Sequence, residues 1–375
     1  MSTETTTISW GSRLGSSIKG VLVGVILFLL GFPVLFWNEG RAVKATKTNE
    51  EGASSVVEAE AASVDPAQNG KLVHVIGDAT TADVLSDSTY GVSETAFRLS
   101  RKTEMYQWVE HTETHDEKKL GGKIERTTKY TYSKEWCESA INSDAFHDKG
   151  QYVNPPAREE LGEVNQYAKK AELGARTLSA RQIERISGAE TLKTLYRPVV
   201  TNEFFEISGT VPEPKVGDVR VTFSVVRSPK TITVVAGQNG NGFMAFTAKS
   251  TGSTIDHLMS GAIDAAGVFA AAERSNTMIT WILRFVGFFM MFIGLSSVFK
   301  PLSVVADVVP FIGTLVGIGT GLVAGVIAFG ASLVTIAVAW LFYRPLLAIL
   351  LIGAAVALVV FLVMKFKSKP APIPA

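Results

Sequence analysis

The sequence predicts an α+β membrane protein with four transmembrane helices, one N-terminal and three C-terminal, and a large β-rich domain outside the membrane. Residues 18–37 are apolar and have about the 20 residues that a helix needs to cross a bilayer. Residues 277–364 hold further apolar stretches of similar length. The charged sequence of residues 38–276 lies between them and has the composition of an ordinary folded domain.

Composition excludes several other classes of protein. The net charge of +1 gives no electrostatic basis for binding nucleic acid. The single cysteine, Cys137, rules out an intrachain disulfide framework and multi-cysteine metal sites. We therefore expect no nucleic-acid partner, and a middle domain that is held together by its own hydrophobic core.

The first apolar stretch has the features of a retained anchor. Residues 1–17 form a tail ahead of it, and no small-residue cleavage site follows it. Aromatic residues followed by polar ones are typical of a helix that meets the lipid headgroups. We predict transmembrane helix 1 over residues 18–37 and an interfacial turn at Asn38, Glu39, Gly40 and Arg41. Glu39 and Arg41 either pair with charges of the domain or headgroups, or simply flank the helix.

The second helix is predicted over residues 277–299, because Lys300-Pro301 follows it. Residues 310–342 as one helix would be about 50 Å long, whereas the bilayer core is about 30 Å thick. We therefore divide this region into an interfacial or re-entrant segment, residues 300–319, and transmembrane helix 3, residues 320–342.

The last helix follows a second interfacial turn, Tyr343-Arg344-Pro345, because proline interrupts a helix and arginine with aromatic residues marks the membrane surface. Transmembrane helix 4 is predicted over residues 345–364, ahead of a disordered tail at residues 365–375. Four helices place both termini on one side. A weak excess of lysine and arginine there predicts that residues 38–276 form a non-cytoplasmic (luminal or periplasmic) α+β domain.

Alternating residues predict the strands of the middle domain. Residues 103–115 and 123–136 form a long hairpin with a turn at residues 116–122. Residues 219–226 and 231–235 have the pattern of a second hairpin, and residues 71–77 that of a single strand. Residues 158–186 have helical spacing.

The middle domain offers no pattern that predicts chemistry. His111 and His115 are four residues apart, which on a strand separates them by about 13 Å, too far to share a metal ion. Nucleotide-binding loops and nucleophile elbows are missing from the sequence. We expect no catalytic residue, no cofactor and no metal site, and hence a protein that is not an enzyme.

Two ionisable residues interrupt the apolar C-terminal region, Arg284 and Asp307. Arg284 lies near the end of the second helix, where its side chain can reach the headgroups by snorkelling. The alternative is that it pairs with a residue such as Asp307 or lines a pathway.

Four glycines repeat every four residues at Gly313, Gly317, Gly321 and Gly325. Small residues at this spacing let another helix approach closely. They predict helix packing within the chain or in a homo-oligomer, with a glycine-lined path as the alternative.

Short motifs in a characteristic order resemble those of the LUMA (transmembrane protein 43) family. They cover nearly the full length and include Asn38-Glu39-Gly40-Arg41-Ala42, Lys71-Leu-Val-His-Val-Ile-Gly77, Leu85-Ser-Asp-Ser-Thr-Tyr-Gly91, Glu104-Met-Tyr-Gln-Trp-Val-Glu110, Tyr130-Thr-Tyr-Ser-Lys-Glu-Trp136, Ile141-Asn-Ser143, Asn154-Pro155, Val216-Gly-Asp218 and Trp340-Leu-Phe-Tyr-Arg-Pro-Leu346. The resemblance implies a four-span protein of the endoplasmic reticulum and inner nuclear membrane in animals, with emerin- or lamin-like partners. The family also resembles bacterial sequences, and a bacterial member would lie in the plasma membrane with its domain outside the cytoplasm.

The leading functional hypothesis is therefore a non-catalytic membrane scaffold. It would self-associate through its transmembrane helices and present its large domain for partner binding or for organisation of the envelope. A channel or transporter, or the regulatory subunit of one, is the alternative hypothesis.

Overall fold

A computed structural model describes residues 2–156, 161–201, 203–211, 213–346, 348–350, 353, 357, 360 and 364. The chain forms two compact units. The sheet unit contains residues 2–6, 48–116 and 126–272, and the helical unit contains residues 7–47, 117–125 and the described residues from 273 onward.

The secondary structure is α+β, as the sequence predicts. The helices are α1 (Trp10–Ser55), α2 (Ala180–Arg185), α3 (Ala265–Ala306) and α4 (Pro310–Tyr343). The strands are β1 (Ser2–Ile8), β2 (Val57–Glu58), β3 (Leu72–Thr80), β4 (Val84–Asp87), β5 (Val92–Lys118), β6 (Ile124–Cys137), β7 (Gly162–Tyr167), β8 (Glu172–Leu173), β9 (Arg176–Thr177), β10 (Glu190–Arg197), β11 (Phe205–Ile207), β12 (Val219–Arg227), β13 (Lys230–Asn239), β14 (Gly242–Met244), β15 (Phe246–Thr247), β16 (Thr254–Ile255) and β17 (His257–Ser260).

Among the described residues, two large sheets and the two-stranded sheet β15-β16 form the sheet unit. One has the strand order β1-β6-β5-β12-β10-β11, with β4 and β7 also paired to β5. The other has the order β17-β13-β14-β9-β8-β3-β2, and β13 also pairs with β3. Alternate residues of β12, among them Val219, Val221 and Phe223, are fully buried, because successive side chains of a strand point to opposite faces.

The structure confirms the long hairpin and corrects two other predictions for this unit. Strands β5 and β6 are neighbours, and their turn lies between Lys118 and Ile124. Strands β12 and β13 do not form the second hairpin, because the chain passes from one sheet to the other between them. The helix predicted over residues 158–186 is wrong. Its described part contains β7, β8 and β9, and only residues 180–185 are helical.

The helical unit contains three helices that are long and apolar enough to cross a membrane, α1, α3 and α4. All three are longer than the predicted spans. The predicted turn at residues 38–41 is wrong, because α1 continues to Ser55 through glutamate, alanine, arginine and lysine residues that favour a helix.

The interfacial segment at residues 300–319 is also replaced by helix. Helix α3 continues to Ala306, and α4 begins at Pro310, a favourable residue for a first helical position. Nothing interrupts α4 between residues 319 and 320, so it is a single helix of 34 residues. It ends at Tyr343, ahead of the proline that the sequence analysis identified as a break. The predicted helix 4 at residues 345–364 lies largely outside the described residues, and the tail at residues 365–375 lies entirely outside them.

Glycines bring α1 and α3 into close antiparallel contact. A Cβ atom placed on Gly24 would lie 2.6 Å from the carbonyl oxygen of Gly294. Two turns further along α1, Gly31 faces Met291 and the carbonyl oxygen of Gly287. The two glycines of each helix are seven residues apart, the repeat of helices that pack side by side over several turns. The two helix backbones therefore touch where larger residues would separate them.

Candidate functional site

A cluster of polar side chains joins the three long helices near one end of their apolar segments. It comprises Asn38, Glu39 and Arg41 of α1, Asn276, Thr280 and Arg284 of α3, and Trp340 of α4. We call it the polar node. The α3 residues are spaced by four, so they share one face of the helix.

Glu39 is the centre of the polar node and is 1% exposed. The guanidinium of Arg284 donates from Nε to Glu39 Oε1 at 2.7 Å and from Nη2 to Oε2 at 2.9 Å. The indole Nε1 of Trp340 donates to the same Oε2 at 2.8 Å. Arg284 also lies over the ring of Trp281, with 4.9 Å from Cζ to the ring centroid. A bidentate pair with an added donor is the geometry in which a buried carboxylate is stable.

Arg41 extends the polar node with neutral partners. It donates to Asn276 Oδ1 at 3.0 Å and to Thr280 Oγ1 at 2.8 Å. Asn38 donates to the carbonyl oxygen of Thr280 at 3.0 Å, and Asn276 donates to that of Ala42 at 3.1 Å. Because α1 and α3 run antiparallel, residues further towards the C-terminus of α1 contact residues closer to the N-terminus of α3. The polar node therefore continues the register of the glycine contacts.

Gly40 holds α4 against α1 in a different way. A Cβ atom on Gly40 would lie 2.6 Å from Cζ of Tyr343, so the phenol ring rests directly on the glycine backbone. The ring of Phe36 lies 5.3 Å from that of Tyr343, measured between centroids. The two predicted interfacial turns, Asn38–Arg41 and Tyr343–Pro345, thus meet through Gly40 and Tyr343, although the first is helical.

The structure corrects the expectations for the intramembrane ions. Arg284 is 18% exposed and pairs with an acid, as the alternative expected, but the acid is Glu39 and not Asp307. Glu39 and Arg41 contact α3 and α4 of their own helical unit. A charged residue inside an apolar helix needs such a partner, because an isolated charge is costly to bury.

Asp307 forms a second polar cluster at the junction of α3 and α4. Its carboxylate is 1% exposed and accepts from Arg13 and, at 2.7 Å, from Lys118 Nζ. The backbone N–H of Gly121 donates to the carbonyl oxygen of Val308 at 3.1 Å. Trp10 Nε1 donates to that of Val304 at 2.8 Å. The tip of the β5–β6 hairpin therefore belongs to the helical unit.

The four predicted packing glycines have different surroundings. Gly313 lies against Asp307, and Gly317 faces Ser303 Oγ, 3.0 Å from the position of an added Cβ. Gly325 has ordinary van der Waals contact with Phe292, and Gly321 has no neighbouring heavy atom within 4 Å. Three of the four therefore contact other residues of the chain, while Gly321 is open.

Buried polar side chains of the sheet unit that could serve a site, His74 and Arg176 among them, have partners of their own. His74 contacts Glu58 at 2.6 Å and the carbonyl oxygen of Ile263 at 2.8 Å. Arg176 donates to Gln238 at 2.8 Å. His111 contacts Ser133 and Glu135. Within the described ranges, no group of three His, Cys, Asp or Glu side chains is placed to hold a metal ion.

Apolar helices joined by a polar node, together with a β-rich unit, define an integral membrane protein of the α+β class. The chain belongs to the transmembrane protein 43 family, whose profile matches residues 105–345. It is 38% identical over 355 residues to transmembrane protein 43 of Mus musculus, covering 90% of this chain and 88% of the relative. It is 37% identical over 359 residues to that of Homo sapiens, covering 92% and 89%.

A more distant relative, the transmembrane protein 43 homolog of Drosophila melanogaster, is 29% identical over 347 residues, covering 89% of this chain and 92% of the relative. No solved structure matches the chain.

Sequence reasoning missed the partner of Arg284 because it ended the first helix at Trp37. Two signals were present. Asn276, Thr280 and Arg284 form a polar row with a four-residue repeat inside an apolar stretch. An acid, Glu39, follows the first apolar stretch, and antiparallel packing of α3 against α1 would place it beside Arg284. A helix that continued past Trp37 would have joined the two.

Proposed function

We propose that the protein is a non-catalytic membrane scaffold whose helical unit is held rigid by the polar node. The Glu39–Arg284 pair, fully desolvated at Glu39, is the observation that carries the proposal. Buried polar contacts of this kind fix one register between helices, which apolar side chains alone specify weakly. A fixed helical unit is a suitable base from which to present a large domain to partners.

Self-association is the second part of the proposal and rests on Gly321. This glycine has open space around it and lies in a groove with Phe288, Phe292 and Phe329. A helix of a second copy fits such a surface, because small residues permit close backbone approach. In a eukaryotic cell the partners would be emerin- or lamin-like proteins of the endoplasmic reticulum and inner nuclear membrane. In a bacterium the site of action would be the plasma membrane.

The test of self-association is the mass of the purified protein in detergent. We expect Gly321→Ile to lower the oligomer mass measured by light scattering, because the larger side chain prevents close approach. Gly330→Ile is the matched control: Gly330 also has open space, but it lies nine residues away, on the opposite side of the helix. An unchanged mass for Gly321→Ile, or an equal loss for both variants, would count against assembly through this face.

The scaffold proposal also has a test against the channel hypothesis. The two charges of the Glu39–Arg284 pair compensate each other, and Arg41 donates to neutral side chains of α3, which favours a structural role. Protein reconstituted into vesicles should therefore pass no ions above the background of empty vesicles. Ion flux that disappears in Arg284→Gln would favour a channel instead. Crosslinking in native membranes followed by mass spectrometry would identify the partners in either case.

A further inference from the structure

We propose that a groove between α1 and α4 binds one acyl chain of an anionic glycerophospholipid, with the lipid phosphate at Arg344. The groove has a volume of 620 Å³. Its walls are almost entirely apolar and include Phe32, Phe36 and Trp37 of α1 and Val334, Val338 and Tyr343 of α4. Trp37 and Val334 are 59% and 63% exposed, so an occupant would cover a large apolar surface.

The length of the groove fits one leaflet of a bilayer. Val334 and Tyr343 are nine residues apart, which is about 14 Å along a helix. Half of a hydrocarbon core of about 30 Å is about 15 Å. One end is marked by Trp37 and Tyr343, the residue types that lie at the headgroup level. An acyl chain that enters at this end would therefore run towards the bilayer centre along the groove.

The charge at this end selects the headgroup. Arg344 follows Tyr343 directly and caps α4, and among the described residues its guanidinium has no hydrogen bond or ion pair. A basic side chain at the membrane surface attracts anionic lipids. A phosphate whose charge is not neutralised by an ammonium group of the same headgroup is therefore the favoured partner of Arg344.

Two other grooves of the helical unit lack this combination. The groove between α1 and α3, which includes Leu27, Val286 and Phe289, and the groove containing Gly321 are lined by apolar residues and glycine alone. Neither is lined by a tryptophan or tyrosine, and the arginine next to Phe285 of the first groove, Arg284, is already paired with Glu39. Of these three grooves, the α1–α4 groove is the one that combines an apolar wall of the length of an acyl chain with Arg344 beside its end.

Native mass spectrometry of the full chain in equimolar phosphatidylglycerol and phosphatidylcholine tests the inference. The wild-type protein should retain one phospholipid, with phosphatidylglycerol preferred about fivefold because of the basic residue. Val338→Trp should abolish retention, because the indole fills the groove. Val286→Trp, in the α1–α3 groove, is the matched control and should retain the lipid. Arg344→Gln should keep the lipid but remove the preference for phosphatidylglycerol.

Several results would overturn the inference. The wild-type protein could retain no phospholipid, as it would if residues 345–364 of the chain itself filled the groove. Val338→Trp and Val286→Trp could have the same effect, which would mean that the lipid does not occupy this groove. An unchanged lipid preference in Arg344→Gln would contradict the assignment of the phosphate. Because Arg344 lies at the helix end, that variant tests the inference even if Val338→Trp fails to fold.

Discussion

At the scale of single residues, Glu39 determines how the helical unit is held together. Its two carboxylate oxygens accept three hydrogen bonds from residues of two other helices, Arg284 and Trp340. Burying the two charges costs hydration free energy, and their mutual attraction together with the hydrogen bond from Trp340 offsets that cost. Removing one partner leaves the other charge buried without compensation, which is more costly than removing both.

Glu39→Gln should therefore lower the free energy of unfolding by about 3–5 kcal/mol. The measurement is unfolding of the purified protein in mixed micelles, followed by circular dichroism. The double variant Glu39→Gln/Arg284→Met should recover part of the loss. Asp116→Asn, which affects an ion pair with Arg126 on the surface of the sheet unit, is the control and should have little effect. If Glu39→Gln and Asp116→Asn have similar effects, Glu39 does not hold the helices together.

At the scale of secondary-structure elements, α1 and α3 act as one pair. Small glycines let the two backbones contact each other in the apolar part, and the polar node continues the same register towards the C-terminal end of α1 and the N-terminal end of α3. Sequence reasoning identified a different set of glycines, those of α4. The α4 repeat is conspicuous because it recurs every four residues, whereas the glycines of α1 and α3 are seven apart and lie in separate segments.

Gly294→Ala should disturb the α1–α3 pair. Its added methyl group would lie 2.6 Å from the Gly24 carbonyl oxygen and from the Phe28 nitrogen, both of which are backbone atoms. Because a backbone cannot rotate away as a side chain can, we expect a loss of about 1–3 kcal/mol in the free energy of unfolding. Gly20→Ala in α1 is the matched control, since nothing lies within 4 Å of that position. Equal stability of the two variants would show that the close contact does not stabilise the pair.

At the scale of the whole molecule, the sheet unit contributes a dependence of stability on pH. His257 lies in β17, and its pKa is lowered, chiefly by burial and further by the positive charge of Arg185, against the opposing effect of Asp256. The folded chain therefore binds fewer protons than the unfolded chain when the pH falls below the ordinary histidine value of 6.5. This contribution to stability is complete above that pH and decreases as the pH falls.

The free energy of unfolding should therefore decrease as the pH is lowered from 7 to 5, by at most about 1.4 kcal/mol per pH unit for this one proton. His257→Phe keeps an aromatic ring against Phe269 but cannot titrate, so it should reduce the slope. Denaturant unfolding at several pH values measures both chains. A slope that is the same in the variant and the wild type would assign the pH dependence to other groups.

The membrane-protein class, the α+β composition, the long hairpin and the break at Arg344 all follow from local features of the sequence. The length of an apolar stretch, the alternation of polar and apolar residues and the effect of proline are local properties of the sequence, so they can be recognised without a structure. The helix ends were predicted less well. Changes in hydropathy predict boundaries at Trp37 and at residue 320, whereas helical propensity carries α1 beyond Trp37 and keeps α4 continuous across residues 319 and 320.

The sequence alone determined which segments are apolar enough to cross a membrane, and it identified Arg284 and Asp307 as the ionisable residues within the apolar C-terminal region. Only the tertiary structure decided their partners, because Glu39 and Arg284 are 245 positions apart and meet through the antiparallel packing of two helices. It also decided that β12 and β13 belong to different sheets. The local sequence of a segment indicates which of its residues are buried. The partner of that segment depends on the helix register and on small residues that permit contact, and both of these involve two segments.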